Sequence, residues 1–188
     1  LTDVTGIRDG SITSAMISTI GKYTISPGSK LEARIKLPWG KGISPAFFAM
    51  GANAESVGVL NVGEIDVFQL RGGNPKLDPN NRTIYSSVFW YEGRNLIESN
   101  SLLFLNSLSD YYHIYSFIYN KDYIEIQIDG ELVLKLQLDS DRKKELFNQP
   151  LFLTMRVAIG GDFAGIPNSS TIFPQKMYID WIRVKPIN

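Results

Sequence analysis

Short alternations of apolar and polar residues, each closed by a turn signal, follow one another along nearly the whole chain, and helical periodicity is almost absent. Leu31–Leu37 alternates apolar and charged side chains, the mark of a strand with one face buried. Pro45–Met50 is a short apolar run closed by Gly51, as expected of a strand covered on both faces. Thr83–Trp90, Tyr112–Tyr119, Tyr123–Ile128, Glu131–Leu138 and Leu151–Ile159 continue the series, with Asp129-Gly130 as a two-residue hairpin turn. Ser11–Ile20 and Tyr23–Ile25 open it, and Lys176–Val184 closes it. Asp139–Phe147 is charged and reads as one or two helical turns. Strands spaced roughly 8–12 residues apart predict an all-β sandwich. With 188 residues and no repeat, linker or low-complexity tract, the chain is expected to form one domain over 1–188.

Composition removes several functions. Lys+Arg and Asp+Glu are 19 each, so no net charge draws the chain to nucleic acid or to an anionic membrane. Without cysteine there are no disulfides, no thiolate nucleophile and no Cys-based zinc site. One histidine, His113, rules out multi-histidine metal sites and reads best as a structural residue. No apolar run approaches the ~20 residues of a membrane-spanning helix, so no membrane insertion is expected, and Leu1-Thr2-Asp3 has no signal-peptide organisation. Ten Phe, nine Tyr and three Trp supply rings that fill β cores or stack on sugars. Asn81-Arg82-Thr83 and Asn168-Ser169-Ser170 fit the short glycosylation pattern.

One stretch carries possible chemistry, Gly63-Glu64-Ile65-Asp66-Val67-Phe68-Gln69. Residues i and i+2 of a strand share a face about 6.6 Å apart, which makes Glu64 and Asp66 neighbours. The alternation then breaks at Phe68. Taken alone, the two acids read as a solvated strand face.

Other motifs change that reading. Thr13-Ser14-Ala15, Gly21-Lys22-Tyr23, Leu31–Pro38, Pro45-Ala46-Phe47, His113-Ile114-Tyr115, Ala158–Gly161 and Phe173–Val184 stand in order around the Glu64 stretch. Together they resemble the family-16 glycoside hydrolases, in the laminarinase-like (β-1,3-glucanase) branch. The resemblance implies a curved β-jelly-roll sandwich, concanavalin A-like, with a sugar-binding cleft, lacking some N-terminal strands because only Thr2–Ile7 precedes Thr13 here. It implies β-glucan or a related polysaccharide or oligosaccharide as partner, no required cofactor, and a secreted or cell-surface location; oligomeric state stays open. Glu64 takes the place of the nucleophile, Asp66 of its hydrogen-bonded supporter, and Gln69 of the acid/base. A β-bulge at Val67-Phe68 would return Gln69 to the face of Glu64.

The departures are informative. Gln69 stands where the family has its proton-donating glutamate. Family tryptophans fall on Ser44 and Phe48, the cleft histidine on Phe89 or Trp90, an asparagine on Arg156 and a further tryptophan on Phe163. Phe48, Phe89, Trp90, Arg156 and Phe163 are therefore the candidate substrate-binding residues, with Trp90 the preferred cleft aromatic. Trp39 and Tyr91 are further candidate platforms, and Trp181 reads as packing. Asp180 matches a calcium-ligand position and is the candidate ligand for a structural calcium ion. Glutamine has no proton to transfer near neutral pH, and losing general acid/base catalysis typically costs about 10²–10⁴-fold. Two readings remain: a retaining endo-β-1,3(4)-glucanase whose hydrolysis of O-glycosidic bonds is weakened or inactivated, and a lectin-like relative that binds carbohydrate without cleaving it.

Overall fold

The computed structural model describes residues 12–73, 79–92, 95–104 and 106–187, with 79–80, 91–92 and 95–103 described by backbone alone. The strands are β1 (Met16–Ser18), β2 (Ser29–Lys36), β3 (Ile43–Gly51), β4 (Glu64–Leu70), β5 (Thr83–Glu92) and β6 (Asn95–Leu103). They continue as β7 (His113–Tyr119), β8 (Tyr123–Ile128), β9 (Glu131–Gln137), β10 (Leu151–Ile159) and β11 (Tyr178–Pro186). Three short helices join them: α1 (Ala54–Val57), α2 (Asp141–Phe147) and α3 (Gly161–Ala164). One antiparallel sheet runs β1-β10-β3-β4-β5-β6 and the other β11-β2-β7-β8-β9. The fold is the all-β sandwich expected.

The core lies between the two sheets. Leu31, Ala33 and Ile35 of β2, and Tyr115, Phe117 and Tyr119 of β7, meet Phe47, Ile65, Val88 and Met155 of the facing sheet in one buried cluster. Phe68 bridges the layers, its ring 4.4 Å from Tyr115 and 6.2 Å from Phe47. Each strand of the first sheet therefore turns its other side chains outward, onto a face that belongs to the Glu64 stretch.

Local features follow from single residues. Asp129 and Gly130 both take positive φ, 52° and 86°, the geometry of a tight hairpin turn between β8 and β9. Asp129 also accepts from the Ile114 backbone N–H at 2.7 Å and lies 2.6 Å from His113 Nδ1, which gives the lone histidine its structural role. The Ser140 side chain caps α2 by accepting from Lys143 N–H.

Several expectations need correction. Of the run Ser11–Ile20, only Met16–Ser18 forms a strand among the described residues, and Ile25 makes only an isolated bridge to Leu151. The N-terminal stretch Thr2–Ile7 lies outside the described residues. β6 went unread because its Asn, Glu and Ser content is that of a loop; as the last strand of its sheet it needs pairing on one side only. Asn81 is fully buried and donates from Nδ2 to Ser107 and Ser109 Oγ, so the folded chain offers no glycosylation acceptor there. Asp180 sits at a bulge of β11 and pairs with Arg34 at 2.5 Å; among the described residues no group of three or more His, Cys, Asp or Glu could hold a metal. The structural calcium ion finds no support.

Candidate active site

Gly63 admits β4 to its place. A side chain there would overlap the Phe147 ring of α2, which packs directly over it. From Glu64 the strand alternates as a half-covered strand should: Glu64 and Asp66 on the outer face, Ile65 and Val67 in the core. Phe68 then also enters the core, so two successive side chains point inward. Both neighbouring ladders register the slip. β3 pairs Phe48 with Asp66 but Phe47 with Phe68, and β5 pairs Ser87 with Asp66 but Tyr85 with Gln69. This is a bulge at Val67-Phe68, and it returns Gln69 to the outer face, where it is half-buried like Glu64. Glu64, Asp66 and Gln69 thus share one face, with Asp66 in the middle and the longer side chains on either side.

Rows of paired residues cross this face. Glu64 lies between Met50 and Phe89, Asp66 between Phe48 and Ser87, and Gln69 between Ala46 and Tyr85. One strand further out, Thr154 pairs with Phe48 and Arg156 with Ala46.

Burial tunes the two acids. Asp66 is only 8% exposed, and burial first, then the charge of Glu64, pushes its carboxyl up to about 8. Burial raises Glu64 as well, opposed by the Arg156 guanidinium and by a hydrogen bond with Asp66. That hydrogen bond favours ionised Glu64 and protonated Asp66, so Asp66 donates and Glu64 accepts. A proton shared by the pair therefore sits on Asp66, with Glu64 as its acceptor.

The candidate binding residues separate into two groups. Phe48, Phe89 and Arg156 belong to the rows just described, and the Arg156 guanidinium lies 5.3 Å from the Phe48 ring centre. Phe163 of α3 reaches the same face, with its ring edge-on to Tyr85 at 5.6 Å. Trp90 does not. Strand parity sends Phe89 outward and Trp90 inward, where it packs edge-on against Phe147 at 6.3 Å as part of the core. Trp181 stands on the other sheet, stacked under Arg183 at 4.1 Å, and the Trp39 backbone N–H donates to Gln175 Oε1 in the β2–β3 loop. The sequence reading passed over Arg71 and Tyr85. Counting by twos from Gln69 reaches Arg71, but Tyr85 follows only from the register of β5, which the sequence does not state.

A groove of about 860 Å³ opens elsewhere, beside β1 and β10 under the segment Phe173–Ile179, lined by Ile17, Met155, Ile159 and Met177 among others. It is mostly apolar, and of the residues assigned to the Glu64 face only Arg156 also lines it.

The chain is similar to known proteins over most of its length. The chain is 28% identical over 186 residues to glucan endo-1,3-beta-glucosidase A1 of Niallia circulans, covering 94% of this chain and 27% of that protein. It is 28% identical over 161 residues to the clotting factor G alpha subunit of Tachypleus tridentatus, covering 82% of this chain and 22% of that subunit. The chain thus spans about a quarter of the length of either relative. Among solved structures, the laminarinase catalytic domain of Thermotoga maritima superposes with a TM-score of 0.79 at 36% identity, over 90% of this chain and 67% of that one. The sequence profile described as glycosyl hydrolases family 16 matches residues 7–183, and the chain belongs to that family.

Proposed function

We propose that this chain is a β-1,3-glucan-directed member of its family whose cleft keeps the nucleophile and its supporter but carries an amide at the proton-donor position. The observation that carries the reading is the bulge of β4, which sets Gln69 on the same face as Glu64 and Asp66. A retaining glycosidase needs two carboxyl groups about 5–5.5 Å apart, one to attack the anomeric carbon and one to protonate the leaving oxygen and later deprotonate water. Glu64 fills the first role, with its charge favoured by the hydrogen bond from Asp66. Gln69 can donate a hydrogen bond to the glycosidic oxygen but cannot transfer a proton to it. Phe48 and Phe89 offer rings to the sugar faces, and Arg156 and Phe163 line the same cleft. No cofactor enters such chemistry. A polymeric glucan also places the work of the protein outside the cell or at its surface.

Turnover of unactivated glucan by the chain as written is therefore slow. Replacing Gln69→Glu supplies the missing proton and raises reducing-end release from laminarin by about 10²–10⁴-fold. Laminarin binding with no gain of hydrolysis in Gln69→Glu would favour the carbohydrate-binding reading instead. No binding to any glycan would overturn both.

A further inference from the structure

Arg71 is the first residue after β4 that returns to the cleft face, two positions beyond Gln69. Its guanidinium lies 4.5 Å from the ring centre of Phe163 and 5.2 Å from that of Tyr85. The two rings are nearly perpendicular, at 82°, and together they hold the planar cation in place while leaving its N–H edge free. Arg71 is exposed, and neither it nor Arg156 forms an ion pair with any described carboxylate. On the same face of β3, Ser44 lies one step beyond Ala46, the partner of Gln69, and its buried Oγ has no hydrogen-bond partner among the described residues. The Arg71 guanidinium and an unpartnered hydroxyl therefore stand beyond Gln69, while the Arg156 guanidinium lies over Phe48, toward Glu64 and Asp66.

A neutral glucan offers nothing that needs a guanidinium fork. A carboxylate or sulfate does, because two parallel N–H donors match two of its oxygens. We propose that Arg71, clamped between Tyr85 and Phe163, forms an anion-selective subsite beyond Gln69 that takes a sugar residue bearing a carboxylate or a sulfate group, with Arg156 as the second cation of the cleft. The proposal rests on the glycan reading of this cleft and narrows its substrate class.

Glu64 does not oppose an anion held on Arg71. Arg71 lies three same-face steps from Glu64, on the order of 20 Å along the strand, well beyond the screening length of about 8 Å at physiological ionic strength. Asp162, next to Phe163 in sequence, is exposed and makes no ion pair with Arg71. The whole chain carries 19 positive and 19 negative residues, so any preference for a polyanion is local to the cleft.

Three ligands with one backbone test this: laminarin, sulfated laminarin and carboxymethylated laminarin, each titrated calorimetrically at low and at high salt. The expected result is binding of at least one anionic form about tenfold or more tighter than laminarin. That ratio should fall toward one in Arg71→Gln, with Arg71→Lys in between and melting temperatures confirming that both variants fold. The sulfated and carboxymethylated arms show which anion the fork prefers. In the unmodified protein, added NaCl should shrink the ratio without any substitution. Laminarin binding with no anionic preference, or a preference that persists in Arg71→Gln, overturns the proposal and leaves the glycan reading standing. No binding of any of the three overturns both.

Discussion

Phe89 and Trp90 are adjacent in sequence and face opposite sides of β5, so the same substitution reads out a different property at each. Trp90→Ala removes a core ring that packs on Phe147 and should lower stability by about 3–5 kcal/mol, seen as a drop in the unfolding midpoint in urea. Phe89→Ala should leave the midpoint nearly unchanged and weaken laminarin binding, measured by calorimetry. If Trp90→Ala weakens binding with no loss of stability, the assignment of faces is wrong. Gly63 is the other residue where a single atom decides. Gly63→Ala drives a methyl group into the Phe147 ring, and overpacking of this kind costs about 1–3 kcal/mol, again read from the midpoint.

At the scale of elements, the β8–β9 hairpin and the β4 bulge were both legible, for different reasons. Asp129-Gly130 is a two-residue signal complete in itself, and the structure gives both residues positive φ. Asp129→Asn should keep the turn and an acceptor for Ile114 N–H, whereas Asp129→Val loses both and should cost about 1–3 kcal/mol more in thermal or urea unfolding. The bulge could be read only through the family resemblance, whose motif spacing puts residue 69 on the face of Glu64; the structure has Val67 and Phe68 in the core and Gln69 outside it. What escaped the sequence was pairing. Trp90 was placed in the cleft because a one-residue choice of alignment decides which neighbour faces out, and only the Glu64–Phe89 register settles it. β6 was missed because a polar last strand has no alternation to read. Arg71, just after β4, and Phe163 of α3 meet across some ninety positions, and no local pattern announces that contact.

For the molecule as a whole, the Glu64–Asp66 pair sets a pH dependence of stability. Both acids have folded-state values above their ordinary ones, Asp66 at about 8, so the folded chain binds more protons than the unfolded chain between the usual carboxylate range and about pH 8. Stability contributed by the pair is therefore full below about pH 4 and is lost as pH rises toward 8. Glu32, held low by its hydrogen bond from Lys185, acts in the opposite sense, and only at acid pH. The melting temperature should thus fall between pH 5 and pH 8, and Asp66→Asn should flatten that slope; a slope unchanged in Asp66→Asn would show that the pair does not hold a shared proton. The same pair underlies the central claim, that the cleft keeps a working nucleophile and lacks only the proton donor. An aryl β-glucoside of laminaribiose with a 2,4-dinitrophenolate leaving group tests this directly, because the phenolate departs without a proton as the Glu64 carboxylate forms its bond to the anomeric carbon. The unmodified protein should release about one equivalent of phenolate in a burst and then stall, with the glycosyl ester found on Glu64 by mass spectrometry, because no base activates water to remove it. A chain that releases no phenolate, or one that steadily hydrolyses laminarin with Gln69 in place, would contradict the account.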